Sequence, residues 1–110
     1  MKFSLDPFPA MKAAAVDAVN AHFNMLAINN LHRDTAHAQK REWARSDQAK
    51  LDAEAALRGV TADALAATIL AKPDNAAARE QARQTVLLQV EAAKTPADLA
   101  VASQALTNYV

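Results

Sequence analysis

The chain has 110 residues, of which 52% are hydrophobic, but 29 of those are alanine, which favours helix strongly and buries little surface. Twelve Lys and Arg residues balance twelve Asp and Glu residues, so the total charge gives no reason to expect a nucleic acid or an anionic membrane as partner. Cysteine is absent, which excludes disulfides and thiolate zinc sites, and no run of about 18 apolar residues could span a membrane.

The first nine residues predict an extended lead-in to a helix. Asp6 can accept amide hydrogen bonds as the N-cap, and Pro7 is tolerated in a first helical turn because its missing donor is not needed there. Phe3, Leu5 and Phe8 are apolar for a tail, and we expect them to pack against a neighbour. A disordered tail is the alternative.

A long uninterrupted helical segment follows. No glycine or proline occurs in the 49 residues from Ala10 to Arg58, so one helix, or two joined near Asn29 and Asn30, can fill the segment. The two asparagines predict either a turn or kink, or a pair that fixes register in a helical interface. An unbroken helix would be about 70 Å long and would need a partner along its length, either the rest of its own chain or copies of itself.

One side of the first part of this segment predicts a contact surface. Its large apolar residues recur at the three- and four-residue spacing of an amphipathic helix. The predicted interface residues are Val16, Val19, Phe23, Leu26 and Ile28. Trp43 stands alone in a polar stretch and is either a further interface anchor or a buried tryptophan under the C-terminal helices.

The second half of the chain contains clear helix boundaries. Gly59 suits the left-handed position that ends many helices, and Thr61 can cap the helix that follows. Pro73 ends that helix, and Thr95 with Pro96 predicts the start of the last one. The three predicted helices span 62–71, about 75–94, and 96 to the C-terminal region, where Leu99, Ala102, Leu106 and Tyr109 form an apolar face.

The predicted fold class is therefore all-α. We expect a long N-terminal helix, continuous or kinked near residues 29–30, followed by three short helices. Residues 1–58 form the lead-in and long helical segment, and residues 59–110 form a small C-terminal three-helix unit. Because three short helices bury little surface alone, we expect the two parts to form one structural unit or to depend on another subunit.

A basic stripe is the most conspicuous polar feature. Arg33, His37, Arg41 and Arg45 are spaced four residues apart and so share one helix face. The stripe is either a solvated face or a contact for an acidic protein surface. Binding of nucleic acid, with Trp43 stacking on a base, is a third and weaker interpretation, because acidic residues interrupt the stretch and the total charge is zero.

No pattern predicts catalysis, a cofactor or a metal. His32 and His37 are five residues apart, roughly 140° around a helix, so they cannot share one ion as an i, i+4 pair can. The chain has one glycine, which leaves no glycine-rich phosphate loop and no Gly-x-Ser-x-Gly nucleophile turn. We therefore expect a protein that is not an enzyme. His22, beside Phe23, is expected to be semi-buried or at an interface.

Several short motifs resemble a group of small helical phage and prophage proteins associated with tails. These proteins share a short Asp-Pro-aromatic-Pro lead, a tryptophan in a polar stretch, a glycine turn and a Thr-Pro-x-x-Leu ending. The matching residues are Asp6–Pro9, Trp43, Arg58–Thr61 with Leu65 and Ala66, Arg83 with Gln84, and Ala92–Leu99. The resemblance implies a tail-fibre accessory or tail assembly chaperone-like protein without catalysis, and it identifies no binding residues.

These observations favour a non-enzymatic phage structural or tail-assembly accessory protein that acts through helix-mediated protein–protein contacts. Homo-oligomers, other phage structural proteins, or both are the expected partners, with contacts of the helical-bundle or coiled-coil type. The expected location is the virion or the host cytoplasm, with no membrane partner. The alternative is a small helical adaptor or regulator that binds a host protein or nucleic acid through the basic stripe.

Overall fold

The computed structural model describes residues 6–110, and every regular element in that range is a helix, which confirms the all-α prediction. The α-helices are α1 (Phe8–Asn29), α2 (Leu31–Ser46), α3 (Asp52–Arg58), α4 (Ala62–Ala71), α5 (Asn75–Ala92) and α6 (Pro96–Ala105). Two 3-10 turns, Gln48–Leu51 and Leu106–Asn108, precede α3 and follow α6. Phe3 and Leu5, which we expected to pack against a neighbour, lie outside the described residues.

The prediction of a long N-terminal helix is wrong. The chain leaves helical geometry at Asn30 and again at Asp47, so the segment forms α1, α2 and α3 rather than one helix or two. Asp47 has φ −153° and ψ 68°, which lie outside the helical region, and its short polar side chain favours turns over helix interiors. The 3-10 turn after this break places Leu51 in a core, where it is 1% exposed. The three helices that follow this segment are also not all short, because α5 has 18 residues.

The helix ends in the second half follow the predicted capping residues. After α3, Gly59 adopts φ 68° and ψ 32°, and the Val60 amide donates to the Ala55 carbonyl at 3.0 Å, which is the long hydrogen bond of a Schellman motif. The side chains of Thr61 and Thr95 each accept an amide hydrogen bond as the N-caps of α4 and α6. These three boundaries are therefore confirmed.

The packing divides the chain into two compact units. The terminal unit consists of the described part of Met1–Ile28 together with Ala77–Val110, and the central unit is Asn29–Ala76. The sequence placed its boundary between residues 58 and 59, whereas here the first helix shares a unit with the last two. The reason is that the apolar stripe of α1 packs on α5 and α6.

In the terminal unit, α1, α5 and α6 surround one apolar core. Its buried residues are Val19, Phe23, Leu26, Val86, Val90, Ala93, Leu99 and Ala102. Leu106 and Tyr109 pack against this core and are partly buried, so the predicted apolar face of the last helix is confirmed. Phe8 also packs against the core, which gives the described member of the apolar lead-in a neighbour within its own unit.

The central unit has a smaller core between α2, the first 3-10 turn, α3 and α4. Its buried residues are Ala44, Leu51, Ala55, Leu65, Ala66 and Ile69, and Trp43 packs against them. Half of these six residues are alanine, so helices can approach closely but each contact buries little apolar area. Within this unit, the polar face of α2 lies beside the chain segment that links α4 to α5.

Candidate functional site

The apolar stripe of α1 does not form a free surface. Val19, Phe23 and Leu26 are 1%, 3% and 8% exposed, because they pack in the core of the terminal unit. Val16 is half-buried against the same core. Their assignment to an interface with another molecule is therefore corrected. The spacing predicts that these side chains are buried, but it does not specify the partner, and the partner is the rest of the same chain.

Ile28 and Trp43 have different environments. Ile28 is 72% exposed near the end of α1, so its role in an interface stays a prediction. Trp43 is half-buried on α2, packs against the core of the central unit, and has the Lys50 Nζ atom 5.9 Å from its ring centroid. That core includes residues of α4. The position of Trp43 therefore agrees better with a tryptophan buried under later helices than with an exposed interface anchor.

The four residues of the basic stripe lie on α2, and we call them the basic face. Arg33 and Arg45 are exposed, and within residues 6–110 neither side chain makes a hydrogen bond or ion pair. His37 and Arg41 are half-buried. Arg41 Nη1 donates to the Lys72 carbonyl at 2.8 Å and lies 3.5 Å from His37 Nε2. The face thus combines two unpaired cations with one guanidinium that is held in place.

A cleft of about 340 Å³ opens beside this face, within the central unit. We call it the basic cleft. One wall is formed by successive turns of α2, and the other by the segment that follows α4. The charged and titratable residues that line it are Arg33, Asp34, His37, Arg41, Lys72 and Asp74. Among the described residues, Arg45 is the member of the basic face that does not line the cleft.

The second wall of the cleft follows from local backbone chemistry. Pro73 disfavours helical geometry in the residue before it, and Lys72 accordingly has φ −70° and ψ 141°. This extended conformation ends α4 and leaves the Lys72 carbonyl without a helical partner of its own. Arg41 supplies the missing donor. The hydrogen bond fixes the wall formed by residues 72–76 against α2.

A second, smaller cleft of about 220 Å³ lies along the same side of α2 and shares Arg33, His37 and Lys72 with the basic cleft. Glu54 forms an ion pair with Lys40, and Arg58 Nη2 lies 3.9 Å from the same carboxylate oxygen. The hydrogen bond from Lys40 and the neighbouring positive charges lower the pKa of Glu54. Lys40 is therefore held in an ion pair, while Arg33, Arg58 and Lys72 make this smaller cleft cationic as well.

The histidines do not form a cluster. His22 Nε2 donates to the Tyr109 carbonyl at 2.8 Å, and the His22 ring packs edge-on against Phe23 with centroids 5.4 Å apart. This agrees with the expected semi-buried position. Within residues 6–110, no group of three His, Asp or Glu side chains is arranged to hold a metal ion. The expectations of no cofactor and no enzymatic activity stay predictions.

Sequence reasoning missed the contribution of Lys72 and Asp74 to the cleft. Pro73 correctly predicted the end of α4. It did not predict which helix would lie beside the Lys72 carbonyl that this helix end leaves without a helical partner.

Comparison with known protein families, curated proteins and solved structures gives no match to this chain. In the described part of the chain, no helix combines the length and apolar character needed to cross a membrane.

Proposed function

We propose that this chain is a non-enzymatic accessory protein that acts by binding another protein through the basic face of α2. Following the motif resemblance, we propose a phage particle or its tail as the setting and a virion or tail-assembly protein as the partner. The single observation that carries the binding proposal is the pair of exposed, unpaired arginines, Arg33 and Arg45, on the helix face that also supplies the basic cleft.

The burial of the α1 stripe directs the proposal to this face. Once Val19, Phe23 and Leu26 are in the core, they cannot drive association with another molecule without unfolding the terminal unit. Complementary charge on an exposed helix face steers and orients a partner protein, which matches the role of an assembly accessory. A contact of this kind weakens as salt concentration rises.

The alternative, a regulator that binds nucleic acid, is supported less well by the local charge. Asp34 and Asp74 line the same cleft as Arg33, Arg41 and Lys72, so two carboxylates lie among three arginine and lysine cations there. Nucleic-acid affinity comes from neutralising several phosphates at once, and each carboxylate opposes that. An adaptor that binds a host protein would use the same face and differs only in the identity of the partner.

The proposal is tested by photo-crosslinking in cells that make this chain naturally. A benzoylphenylalanine replaces the exposed Ala38 at the cleft, and a control chain carries it at Val101 on α6, which is 68% exposed. We expect one protein adduct from position 38 that is absent from position 101, with a virion or tail-assembly protein identified by mass spectrometry. The double variant Arg33→Glu/Arg45→Glu should lose this adduct, and Lys94→Glu, an exposed charge reversal in the terminal unit, should retain it.

The other outcomes are informative. A nuclease-sensitive adduct would overturn the proposal in favour of the nucleic-acid alternative, and an adduct with a host protein alone would overturn the phage setting. Absence of any adduct from position 38, in a chain shown to be folded by circular dichroism, would overturn binding through the basic face.

A further inference from the structure

The basic cleft has a geometry that selects among acidic partners. We infer that it binds neighbouring carboxylates from a helical acidic segment of the partner protein, and this inference rests on the proposed function. The ligand class is a peptide segment with Glu or Asp side chains repeated every helical turn, which lies along α2 between that helix and residues 72–76.

The spacing of the cationic side chains supports a helical ligand. Arg33 and Arg41 are two turns apart on α2, so their Cβ atoms are separated by about 12 Å along the helix. A partner helix with acidic residues repeated every four residues presents carboxylates at that separation on every second turn. Arginine suits this role because its planar guanidinium binds a carboxylate through two parallel hydrogen bonds.

Arg41 is already oriented for such a contact. Its Nη1 atom is held by the Lys72 carbonyl at 2.8 Å, while a guanidinium has five N–H donors in all. Donors therefore remain for a carboxylate, and part of the entropy cost of ordering the side chain is already met in the folded chain. Arg33 has no partner within residues 6–110, so it gains a contact without breaking one.

The size and charge of the cleft limit what it accepts. A volume of about 340 Å³ lies at the low end of the range for small-molecule sites. That is room for a few side chains rather than for a large cofactor. The carboxylates of Asp34 and Asp74 in the same lining disfavour a dense polyanion, whereas Arg33 and Arg41 can each pair with one carboxylate.

The test uses the full chain and a defined peptide. The probe is an alanine-rich, end-capped peptide of about 18 residues, long enough to be helical, with glutamates four residues apart. The control peptide has glutamine in place of each glutamate. Binding is followed by ¹H–¹⁵N NMR of the labelled chain at low salt. We expect shifts in residues 33–41 and 72–76 with the glutamate peptide and none with the glutamine peptide.

Matched variants separate the cleft from the rest of the basic face. Arg33→Gln should weaken binding about threefold to fivefold and Arg41→Gln about tenfold, as expected for loss of an exposed and a more enclosed charged contact. Arg45→Gln removes the same charge from the same helix face outside the cleft and should change affinity less than about twofold. Arg33 is exposed and makes no hydrogen bond or ion pair within residues 6–110, so we expect Arg33→Gln to leave the fold intact, which circular dichroism checks.

Two results would overturn the inference. One is a glutamate peptide that fails to bind or that shifts residues outside the cleft, and the other is an Arg45→Gln loss equal to that of Arg33→Gln. If either occurs while the photo-adduct at position 38 still depends on Arg33 and Arg45, the cleft inference fails and the proposed function stands. If the adduct is absent, the proposed function fails whatever the peptide does.

Discussion

Arg83 forms an ion pair with Glu80 one turn away on α5, and it also links α5 to α1. Arg83 donates to the Glu80 carboxylate through Nε at 2.9 Å and Nη2 at 2.6 Å, which is an i, i+3 contact on α5. Arg83 Nη1 also donates to Asn20 Oδ1 on α1 at 3.0 Å. Hydrogen bonds from Arg83 and then from Gln84 lower the pKa of Glu80 to about 2.

This pKa predicts a pH dependence with a definite sign. The folded pKa of Glu80, about 2, lies below its ordinary value of 4.5, so the pair stabilises the folded chain above pH 4.5 and loses that effect as the pH falls toward 2. Arg83→Gln should raise the Glu80 titration midpoint toward 4.5, as measured by carboxyl ¹³C NMR.

The control is Gln84→Ala, which removes the second donor and should move the midpoint less. Urea denaturation should show a larger stability difference between the wild type and Arg83→Gln at neutral pH than near pH 2. An unchanged Glu80 midpoint in Arg83→Gln would contradict the assigned cause.

At the scale of elements, the start of α6 depends on a reciprocal capping box. Thr95 Oγ1 accepts from the Asp98 amide at 3.2 Å, and Asp98 Oδ2 accepts from the amides of Thr95 and Lys94 at 3.2 and 2.9 Å. These amide donors, that of Lys94 foremost, lower the pKa of the Asp98 carboxyl. The cap matters to packing because α6 contributes Leu99 and Ala102 to the core of the terminal unit.

Removal of this cap should destabilise the chain without changing its fold. Thr95→Ala should lower the free energy of unfolding by about 1 kcal/mol, because the Asp98 amide loses its acceptor. Thr95→Ser retains a hydroxyl and should stay within a few tenths of a kcal/mol of the wild type. The measurement is urea denaturation followed by circular dichroism. Equal stability of the alanine and serine variants would show that the hydroxyl has no capping role.

At the scale of the whole molecule, the chain has two cores that do not share buried residues. The core of the terminal unit is built around Phe23, Val86 and Val90, and that of the central unit around Leu51 and Ile69. Each unit is small, so it buries a limited fraction of its surface and is sensitive to the loss of one large side chain.

We expect the two cores to respond separately to truncation. Leu51→Ala should cost about 2–5 kcal/mol, because Leu51 is 1% exposed and its removal leaves a cavity. In native-state hydrogen exchange, amides of α2 and α4 should then exchange faster, while those of α1 and α6 change less.

Val90→Ala is the matched truncation in the terminal unit, where Val90 is also 1% exposed, and it should produce the reverse pattern. Equal acceleration of exchange in both units by either variant would show that the chain unfolds as a single cooperative unit.

The sequence by itself determined the features that depend on residues within about one helical turn. Alanine content predicted the helices, and Gly59, Thr61 and Thr95 predicted three helix boundaries, because capping joins groups that are close in the chain. The spacing of Val19, Phe23 and Leu26 predicted that they are buried. Periodicity also placed the basic face on one side of α2.

Only the tertiary structure decided which surfaces meet. The stripe of α1 could have packed on another copy or on the same chain, and its pattern is identical in both cases. The hydrogen bond from the Arg41 side chain to the Lys72 carbonyl depends on how separate helices pack, because the two residues are 31 positions apart in the chain. Local chemistry specifies where a helix begins and which face is apolar, whereas the choice of partner depends on the free energy of the whole packed arrangement.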